Sequence, residues 1–300
     1  MRIIFMGTPE YAATILESLL AKHEVCALVC QEDKKAGRNM RLQMPATKEL
    51  LLKKELKIPI FQPTRLDEDF IEEFKKIPCD RIIVAAYGKI LPLSILKFAP
   101  CINLHASILP SFRGASPIQQ SILKDEEYFG VTAMQMSEGL DCGDILGFKV
   151  IRNRLQSKTE LFLDLARIAA SLTLEYLQRC DSVIPLRQID ADASYCKKIK
   201  KSFGQVGFEN ANCLAKKARA YEGWPEIYLE NGLKLKGVKM AESLSENIAG
   251  EILCITKEQI KIGCQKGSVW VESLQSPSKK AVSAYQYLQG KHLRIGDILQ

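Results

Sequence analysis

The sequence has few of the residues from which proteins build metal centres. Its 300 residues include only three histidines, His23, His105 and His292, and its ten cysteines form no Cys-x-x-Cys pair. Zinc and haem sites need His and Cys ligands at close, characteristic spacings. We therefore predict no metal, and we interpret the cysteines as the scattered, reduced thiols of a cytosolic protein.

The sequence also shows no sign of a targeting or membrane segment. Its first residues, Met-Arg-Ile-Ile-Phe-Met-Gly, predict a strand entering a turn, without the basic region, apolar region and cleavage site of a signal peptide. No apolar run reaches the roughly 18 residues that a membrane helix needs. We expect a soluble, cytoplasmic protein. A dinucleotide-binding dehydrogenase is disfavoured, because the turn at Gly7 lacks the Gly-x-Gly-x-x-Gly pattern.

The order of apolar and amphipathic segments predicts an α/β fold. Apolar, β-prone runs predict strands at residues 2–6, 25–30, 58–61, 81–86, 130–136 and 145–152. Helical spacing predicts helices at residues 9–20, 47–57, 68–76 and 157–180, and from residue 117 onward. The helix at 157 begins with a capping box formed by Ser157 and Glu160. Strands that alternate with helices indicate a Rossmann-like, mostly parallel sheet with helices over its faces.

The chain changes character after residue 188, where we place the end of a first domain, residues 1–188. Residues 189–205 combine Asp190-Ala-Asp-Ala-Ser with Lys197-Lys-Ile-Lys-Lys201 and are interpreted as a linker. Beyond it, residues 210–221 predict a helix and residues 251–274 predict short strands. We therefore predict that the last domain, residues 206–300, is a small antiparallel β-barrel.

The formal net charge of +7 is confined to the C-terminal third. Residues 194–300 carry 17 Lys and Arg against 10 Asp and Glu, whereas residues 1–193 carry 25 of each kind. A neutral body with a basic C-terminal third favours an anionic macromolecular partner such as a nucleic acid. A basic face that is merely solvated is the alternative.

Residues 31–45 form a polar connection that is longer than α/β units usually need. It carries Lys34, Lys35, Arg38 and Arg41 around a glycine, which suits contact with phosphate groups. A solvated surface loop is the alternative interpretation.

A carboxamide and an imidazole stand two positions apart in the segment Asn103-Leu-His105, at a predicted strand end. Side chains two apart on a strand point to the same side, so both can act on one group. A carboxamide donor beside a protonated imidazole suits stabilisation of a developing oxyanion, and an acidic partner favours the charged imidazole. Asp141, in the Gly-bounded loop 139–144, is the candidate partner, and Asp144 competes for that role. A purely structural histidine is the alternative.

The surrounding residues indicate the type of chemistry without naming the transferred group. No nucleophile-elbow pattern accompanies Asn103 and His105, so direct transfer between two bound substrates is the expected reaction. The turn at residues 87–92 follows a predicted strand, and open α/β sheets bind small molecules beyond the carboxyl ends of their strands. A simple structural turn is the alternative.

These motifs resemble the formyltransferase family that uses 10-formyltetrahydrofolate. The resemblance covers essentially the full length and rests on Asn103-Leu-His-Ala-Ser-Ile-Leu-Pro-x-x-Arg-Gly-Ala-Ser-Pro-Ile118, Gly139-Leu-Asp-Cys-Gly-Asp144, Ala86-Tyr-Gly-Lys-Ile-Leu-Pro92 and Ala36-Gly-Arg38. It implies transfer of a formyl group from 10-formyltetrahydrofolate to the α-amine of methionine on initiator tRNA, for translation initiation. The implied architecture is a Rossmann-like catalytic domain followed by an OB-like, tRNA-binding β-barrel.

The resemblance also assigns residues to roles. The implied catalytic trio is Asn103, His105 and Asp141. The residues implied to bind the folate are Ser107, Ile108, Leu109, Pro110, Gly88, Lys89, Ile90, Leu91, Glu138, Gly139 and Leu140. The residues implied to bind tRNA are Lys34, Lys35, Arg38, Arg41, Lys197, Lys198, Lys200 and Lys201. The implied tRNA partner agrees with the basic C-terminal third.

Other functions remain open at this point. The chain could formylate a purine precursor or a nucleotide-sugar amine, hydrolyse formyltetrahydrofolate to formate, or bind tRNA without catalysis. A purine-pathway enzyme would not need the basic C-terminal third or the long basic loop, and a non-catalytic tRNA-binding protein would not keep the trio. We expect a monomer that does not associate with membranes.

Overall fold

The computed structural model describes residues 1–36 and 41–299, and the backbone of this part of the chain divides into two compact units. The first comprises Met1–Pro117, Glu127–Arg152 and Leu161–Cys196, and the second comprises Ile118–Glu126, Asn153–Glu160 and Lys197–Gln300. The predicted domain limits at residues 188 and 206 stay a prediction.

The first unit is built on a seven-stranded, mostly parallel sheet. The strands of this unit are β1 (Arg2–Gly7), β2 (Glu24–Val29), β3 (Lys34–Ala36), β4 (Arg41–Gln43), β5 (Ile60–Phe61), β6 (Arg81–Ala85), β7 (Cys101–His105), β8 (Arg113–Gly114), β9 (Tyr128–Gln135), β10 (Ile145–Arg152) and β11 (Tyr195–Cys196). The strand order in the large sheet is β10-β9-β7-β6-β1-β2-β5. β5, β2, β1, β6 and β7 pair in parallel, whereas β9 is antiparallel to both β7 and β10.

The helices are interspersed with the strands along the chain. They are α1 (Glu10–Leu20), α2 (Ala46–Lys53), α3 (Glu68–Lys75), α4 (Leu93–Leu96), α5 (Pro117–Lys124), α6 (Lys158–Arg179), α7 (Ala211–Ala220) and α8 (Ala284–Lys291), and short 3-10 turns span Asp190–Asp192 and Lys201–Gly204. The predicted capping box at the start of α6 is confirmed, because the Ser157 N–H donates to Glu160 Oε2 at 2.9 Å and the Glu160 N–H donates to Ser157 Oγ at 3.3 Å. None of the helices of the described residues is long and apolar enough to cross a membrane.

The central strands are apolar after their first residue because both faces of the sheet are covered. In β1, the side chains of Ile3, Ile4, Phe5 and Met6 are fully buried, and β6 carries a similar buried run. Parallel sheets of α/β proteins show this continuous pattern, in contrast to the alternation of half-exposed strands. The same runs that identified these strands in the sequence therefore form the core on which the site is placed.

The predicted end of α2 needs correction. The helix predicted at residues 47–57 ends at Lys53, because Glu55 adopts a left-handed conformation with a φ of 53°. The N–H groups of Glu55 and Leu56 then donate to the carbonyls of Leu52 and Leu51, a Schellman motif that closes the helix. The segment 31–45, predicted as a long polar connection, contains the antiparallel pair β3–β4, whose arms satisfy each other's backbone groups.

The second unit carries antiparallel strands. They are β12 (Ile227–Tyr228), β13 (Lys234–Lys236), β14 (Lys239–Glu242), β15 (Ile252–Ile255), β16 (Ile260–Gly263), β17 (Ser268–Val271), β18 (Ser273–Gln275) and β19 (Val282–Ser283). They form two four-stranded sheets, in the orders β12-β13-β18-β19 and β14-β17-β16-β15. The predicted fold class is confirmed: a mostly parallel, helix-covered sheet is followed by an antiparallel β region.

Candidate active site

Asn103 and His105 lie on β7, and their side chains point to the same face of the sheet because they are two residues apart. On this face Asn103 Nδ2 donates to Asp141 Oδ1 at 3.4 Å. His105 Nδ1 lies 3.6 Å from Asp141 Oδ2. Asp144, the competing candidate, is exposed, and its backbone carbonyl accepts a hydrogen bond from the Gln135 N–H. The structure therefore brings the predicted trio together around one carboxylate, whereas its catalytic role stays a prediction.

The other ring nitrogen of His105 lies 2.9 Å from the backbone carbonyl oxygen of Phe112. A carbonyl oxygen can only accept, so Nε2 carries a hydrogen and donates it. His105 is 6% exposed, and this bond fixes the ring with Nδ1 directed at Asp141. The Phe112 N–H in turn donates to Ser194 Oγ at 2.9 Å. The orientation of the imidazole is thus set by backbone atoms from outside β7.

Residues 137–144, called the Asp141 loop below, connect the antiparallel strands β9 and β10. The loop starts beside the first residue of β7, where the Met136 N–H donates to the Cys101 carbonyl at 2.8 Å. Within it Asp141 has a left-handed φ of 50°. Gly143 has no space for a side chain, since a Cβ there would lie 1.7 Å from the Gln135 carbonyl oxygen. The loop conformation therefore depends on backbone geometry that few residues adopt.

The carboxylate of Asp141 is also held by β8. Its Oδ2 accepts a hydrogen bond from the Gly114 N–H at 2.9 Å. Gly114 has a φ of 117°, and a Cβ there would lie 2.3 Å from the Cys196 carbonyl oxygen, so β8 and β11 approach too closely for a side chain. Gly114 of β8 and Phe112, which directly precedes β8, thus contact two members of the trio through the Gly114 N–H and the Phe112 carbonyl.

Arg113, between these two contacts, is a residue to which the sequence reasoning gave no role. It is 1% exposed, and its guanidinium donates to Gln188 Oε1, Asp190 Oδ1 and Tyr195 Oη. Burial alone lowers the pKa of Arg113, but the hydrogen bonds and charges of Asp190 and Tyr195 together raise that pKa above its ordinary value. The Arg113-Gly114 pair within the motif of residues 103–118 is the sequence feature from which a role for Arg113 could have been predicted. No sequence pattern points to Gln188.

The segment predicted to hold the folate, Ser107 to Pro110, follows β7 directly and is fixed by its own polar groups. Ser107 Oγ donates to the Ser111 carbonyl at 2.6 Å, and the Ser107 carbonyl accepts from Thr132 Oγ1 at 2.7 Å. Thr132 Oγ1 also accepts the Leu109 N–H at 3.0 Å. The Ile108 side chain packs over Gly130, where a Cβ would come within 2.7 Å of it. Folate contact by these residues stays a prediction.

The second predicted folate segment, Gly88 to Leu91, follows the carboxyl end of β6, next to β7. Gly88 has a φ of 81°, which favours glycine. Lys89 Nζ donates to the backbone carbonyls of Pro63 and Thr64, so its charge serves to hold this turn. Ile90 is 90% exposed and Leu91 is 5% exposed. In the third segment Glu138, Gly139 and Leu140 are exposed, and Leu140 presents an apolar side chain that is 58% accessible.

The residues predicted to bind tRNA form two groups. Lys34 on β3 is exposed, whereas Arg38 and the side chains of Lys35 and Arg41 lie outside the described residues. The residues of the second group, Lys197, Lys198, Lys200 and Lys201, are all exposed. Exposed, clustered cations are the electrostatic feature that phosphate binding needs, and tRNA contact stays a prediction.

Comparison with known proteins identifies what this chain is similar to. A model of the formyl transferase family matches residues 1–159, and a model of the formyl transferase C-terminal domain matches residues 198–292. A protein of a Nitratiruptor species named methionyl-tRNA formyltransferase is 49% identical over 99% of this chain and 99% of its own length. A protein of the same name from Sulfurimonas denitrificans is 51% identical over the whole of both chains.

Among solved structures, the crystal structure of HypX from Aquifex aeolicus in complex with tetrahydrofolic acid has a TM-score of 0.66 and 19% sequence identity. The match covers 96% of this chain but 47% of HypX, so the chain spans about half the length of that protein. At this identity the similarity shows the fold alone.

Proposed function

The chain belongs to the formyl transferase family, and we propose that it transfers the formyl group of 10-formyltetrahydrofolate to the α-amine of methionyl-initiator tRNA. The observation that carries the proposal is the 49–51% identity, over essentially the whole chain, to two proteins named methionyl-tRNA formyltransferase. The geometry of Asn103, His105 and Asp141 supports it, because an amide and an imidazole converge with a carboxylate on one face of β7.

In the proposed reaction the methionyl amine attacks the formyl carbon on N10 of the folate. A C–N bond forms and the carbonyl oxygen gains negative charge. Asn103 Nδ2 carries two hydrogens, so one can point to Asp141 Oδ1 while the other stabilises the oxyanion. His105 is proposed to be the second group that stabilises this oxyanion, oriented by Asp141 beside its Nδ1. Both residues are held before the reaction, so little reorganisation is needed when charge develops.

The proposed role of Asp141 is to orient both donors and to help remove the amine proton. Its carboxylate receives the Asn103 amide and the Gly114 N–H and lies beside His105 Nδ1. When the tetrahedral intermediate collapses, the C–N10 bond breaks and N10 gains a proton. The products are N-formylmethionyl-tRNA and tetrahydrofolate. General acid–base assistance of this kind contributes about 10²–10⁴-fold to rate.

The two substrates are proposed to bind at different surfaces. The segments at Ser107 to Pro110, Gly88 to Leu91 and Glu138 to Leu140 are proposed to hold the folate, since two of them follow the carboxyl ends of adjacent parallel strands. The tRNA backbone is proposed to contact the exposed lysines after β11 and the basic residues of the β3–β4 segment. The enzyme is proposed to act as a monomer in the cytoplasm, where its tRNA substrate is charged.

The test offers 10-formyltetrahydrofolate with one acceptor at a time: methionyl-initiator tRNA, glycinamide ribonucleotide, an amino-sugar nucleotide, or water. The expected result is formylmethionine on tRNA, with one tetrahydrofolate formed for each formyl group transferred. Formylation of a different amine, or release of formate without formylmethionine, would overturn the proposal.

A further inference from the structure

The carboxamide of Gln188 bridges the buried guanidinium of Arg113 and the backbone of the Asp141 loop. Gln188 Oε1 accepts hydrogen bonds from Arg113 Nε at 3.0 Å and from Arg113 Nη2 at 2.8 Å. Gln188 Nε2 donates to the Asp141 carbonyl at 3.0 Å and to the Gly143 carbonyl at 2.6 Å. One amide therefore makes four hydrogen bonds to residues far away in the sequence.

These partners leave the Gln188 amide a single orientation. A guanidinium has only donors, and the two backbone carbonyls have only acceptors. Exchange of the amide oxygen and nitrogen would place donors against donors and acceptors against acceptors. Gln188 is 6% exposed, within a stretch where its neighbours Arg187 and Ile189 are exposed, so its side chain alone turns inward. Polar groups left unpaired at such a depth are destabilising, so the exchanged orientation is disfavoured.

The two carbonyls belong to Asp141 and Gly143, on either side of Cys142. Their hydrogen bonds to Gln188 fix the part of the loop whose backbone conformation is least favourable. Asp141 is left-handed, and Gly143 lies against the Gln135 carbonyl. A left-handed conformation at a residue other than glycine persists only when its surroundings impose it. The side chain of Asp141 is held by the Gly114 N–H, whereas its backbone is held by Gln188.

We propose that Gln188 is a positioning residue for Asp141, and that Arg113 fixes Gln188 in the orientation this requires. The role rests on the proposed formyl transfer. Without the bridge, the Asp141 carboxylate moves relative to Asn103 and His105, whereas the exposed lysines proposed to bind the tRNA are unchanged. Displacement of a catalytic group by about 1 Å can cost about 100-fold in rate.

The test compares Gln188→Met and Gln188→Glu with the unmodified enzyme. Methionine has a similar length and removes all four hydrogen bonds, whereas glutamate keeps an acceptor for Arg113 and turns an oxygen against the two loop carbonyls. We expect both variants to lower kcat about 100-fold, with the KM for tRNA changed less than about 3-fold. Each substitution is then repeated in an Asp141→Asn background, where we expect less than about 3-fold further loss, because residues that act through one group are not additive.

Equal losses in both backgrounds would overturn the proposal, because a general loss of folded enzyme multiplies with the effect of Asp141→Asn. Gln156→Met is the matched control: Gln156 is also 6% exposed, and its Oε1 accepts the Arg154 N–H at 2.7 Å, in the second unit. It should leave kcat unchanged.

A second measurement does not depend on the acceptor. Hydrogen exchange of the Asp141 loop should accelerate at least about 10-fold in Gln188→Met, whereas exchange in β1 and β6 stays unchanged. Unchanged exchange in the loop would overturn the positioning role even if formyl transfer is confirmed. Failure of the unmodified enzyme to formylate methionyl-tRNA would instead count against the proposed function alone.

Discussion

The trio of Asn103, His105 and Asp141 differs from the lysines after β11 in how exposed its functional groups are. Asn103, His105 and Asp141 are fixed by one another and by backbone atoms of Phe112 and Gly114. The side chains of Lys197, Lys198, Lys200 and Lys201 are exposed to solvent. Stabilising a developing charge requires groups that are oriented in advance, whereas attraction of a phosphate backbone requires only density of charge.

This difference implies that the two regions respond differently to substitution. Changes at the trio should alter turnover and leave substrate affinity nearly unchanged. Changes at the lysines should alter affinity and its dependence on salt, with turnover at saturation unaffected.

Asp141→Asn should lower kcat by about 10²–10⁴-fold, because the amide is not a base. Its NH2 group also replaces one of the two oxygens that accept hydrogen bonds from the Asn103 amide and the Gly114 N–H. Single-turnover formylation at saturating tRNA measures this loss, and filter binding measures tRNA affinity, which should stay within about 3-fold. A variant with unchanged kcat, or one whose loss is entirely in tRNA affinity, would remove Asp141 from the proposed role.

The residues of the trio and Gln188 differ in how far their roles could be predicted from the sequence. The shared direction of Asn103 and His105 follows from the two-residue period of a strand, which the sequence shows directly. The choice of Asp141 over Asp144 came from the family resemblance, because local pattern places both in the same loop. The role of Gln188 could not be predicted, since its partners on the loop are backbone carbonyls 45 and 47 residues away, and carbonyls carry no residue identity.

The fold could be predicted where burial imposes a simple pattern. β1 and β6 can be predicted because strands covered on both faces carry continuous apolar runs, here after a first arginine. The end of α2 was misplaced because it depends on a left-handed Glu55, a conformation that this residue type does not signal. The β3–β4 pairing was missed because its short polar arms, Lys34–Ala36 and Arg41–Gln43, carry no apolar alternation strong enough to indicate strands.

Gly143→Ala tests whether the trio depends on the loop backbone as well as on its side chains. The added Cβ would lie 1.7 Å from the Gln135 carbonyl oxygen, so the loop or β9 must shift. We expect kcat to fall about 100-fold and stability to fall by about 1–3 kcal/mol, measured by turnover and urea unfolding. Gly290→Ala in α8 is the control, because a Cβ there meets nothing within 4 Å. An active, stable Gly143→Ala enzyme would show that the loop tolerates displacement.

Replacement of Lys197, Lys198, Lys200 and Lys201 together by alanine tests the other side of the comparison. We expect the Kd for tRNA to rise about 10-fold or more at moderate salt. The slope of log affinity against log salt should fall by about 1 for each phosphate group that the variant no longer neutralises. The kcat at saturating tRNA should be unchanged, because the hydrogen bonds of the trio are unaltered.

A second set of four lysines provides a control with the same change in charge. Lys257, Lys279, Lys280 and Lys291 are exposed and lie in the second unit, outside the predicted tRNA group. Their replacement by alanine should weaken tRNA binding less than the first set does. Equal weakening by the two sets would mean that the net charge of the C-terminal third, without a localised cluster, attracts the tRNA.

The smallest expected effect concerns Glu226, the carboxylate that pairs with Lys234 and Lys236 in the second unit. Burial by itself would raise the pKa of Glu226, but hydrogen bonds and charges from the two lysines lower that pKa below its ordinary value of 4.5. A lowered folded-state pKa contributes stability above the ordinary value, and this contribution is lost as the pH falls through the folded-state value. Glu226→Gln should therefore reduce stability by about 1 kcal/mol at pH 7, and the difference in Tm from the unmodified protein should shrink as the pH falls below 4.5. A difference in Tm that persists unchanged at acidic pH would show that the Glu226 side chain stabilises the unit by packing and not by charge.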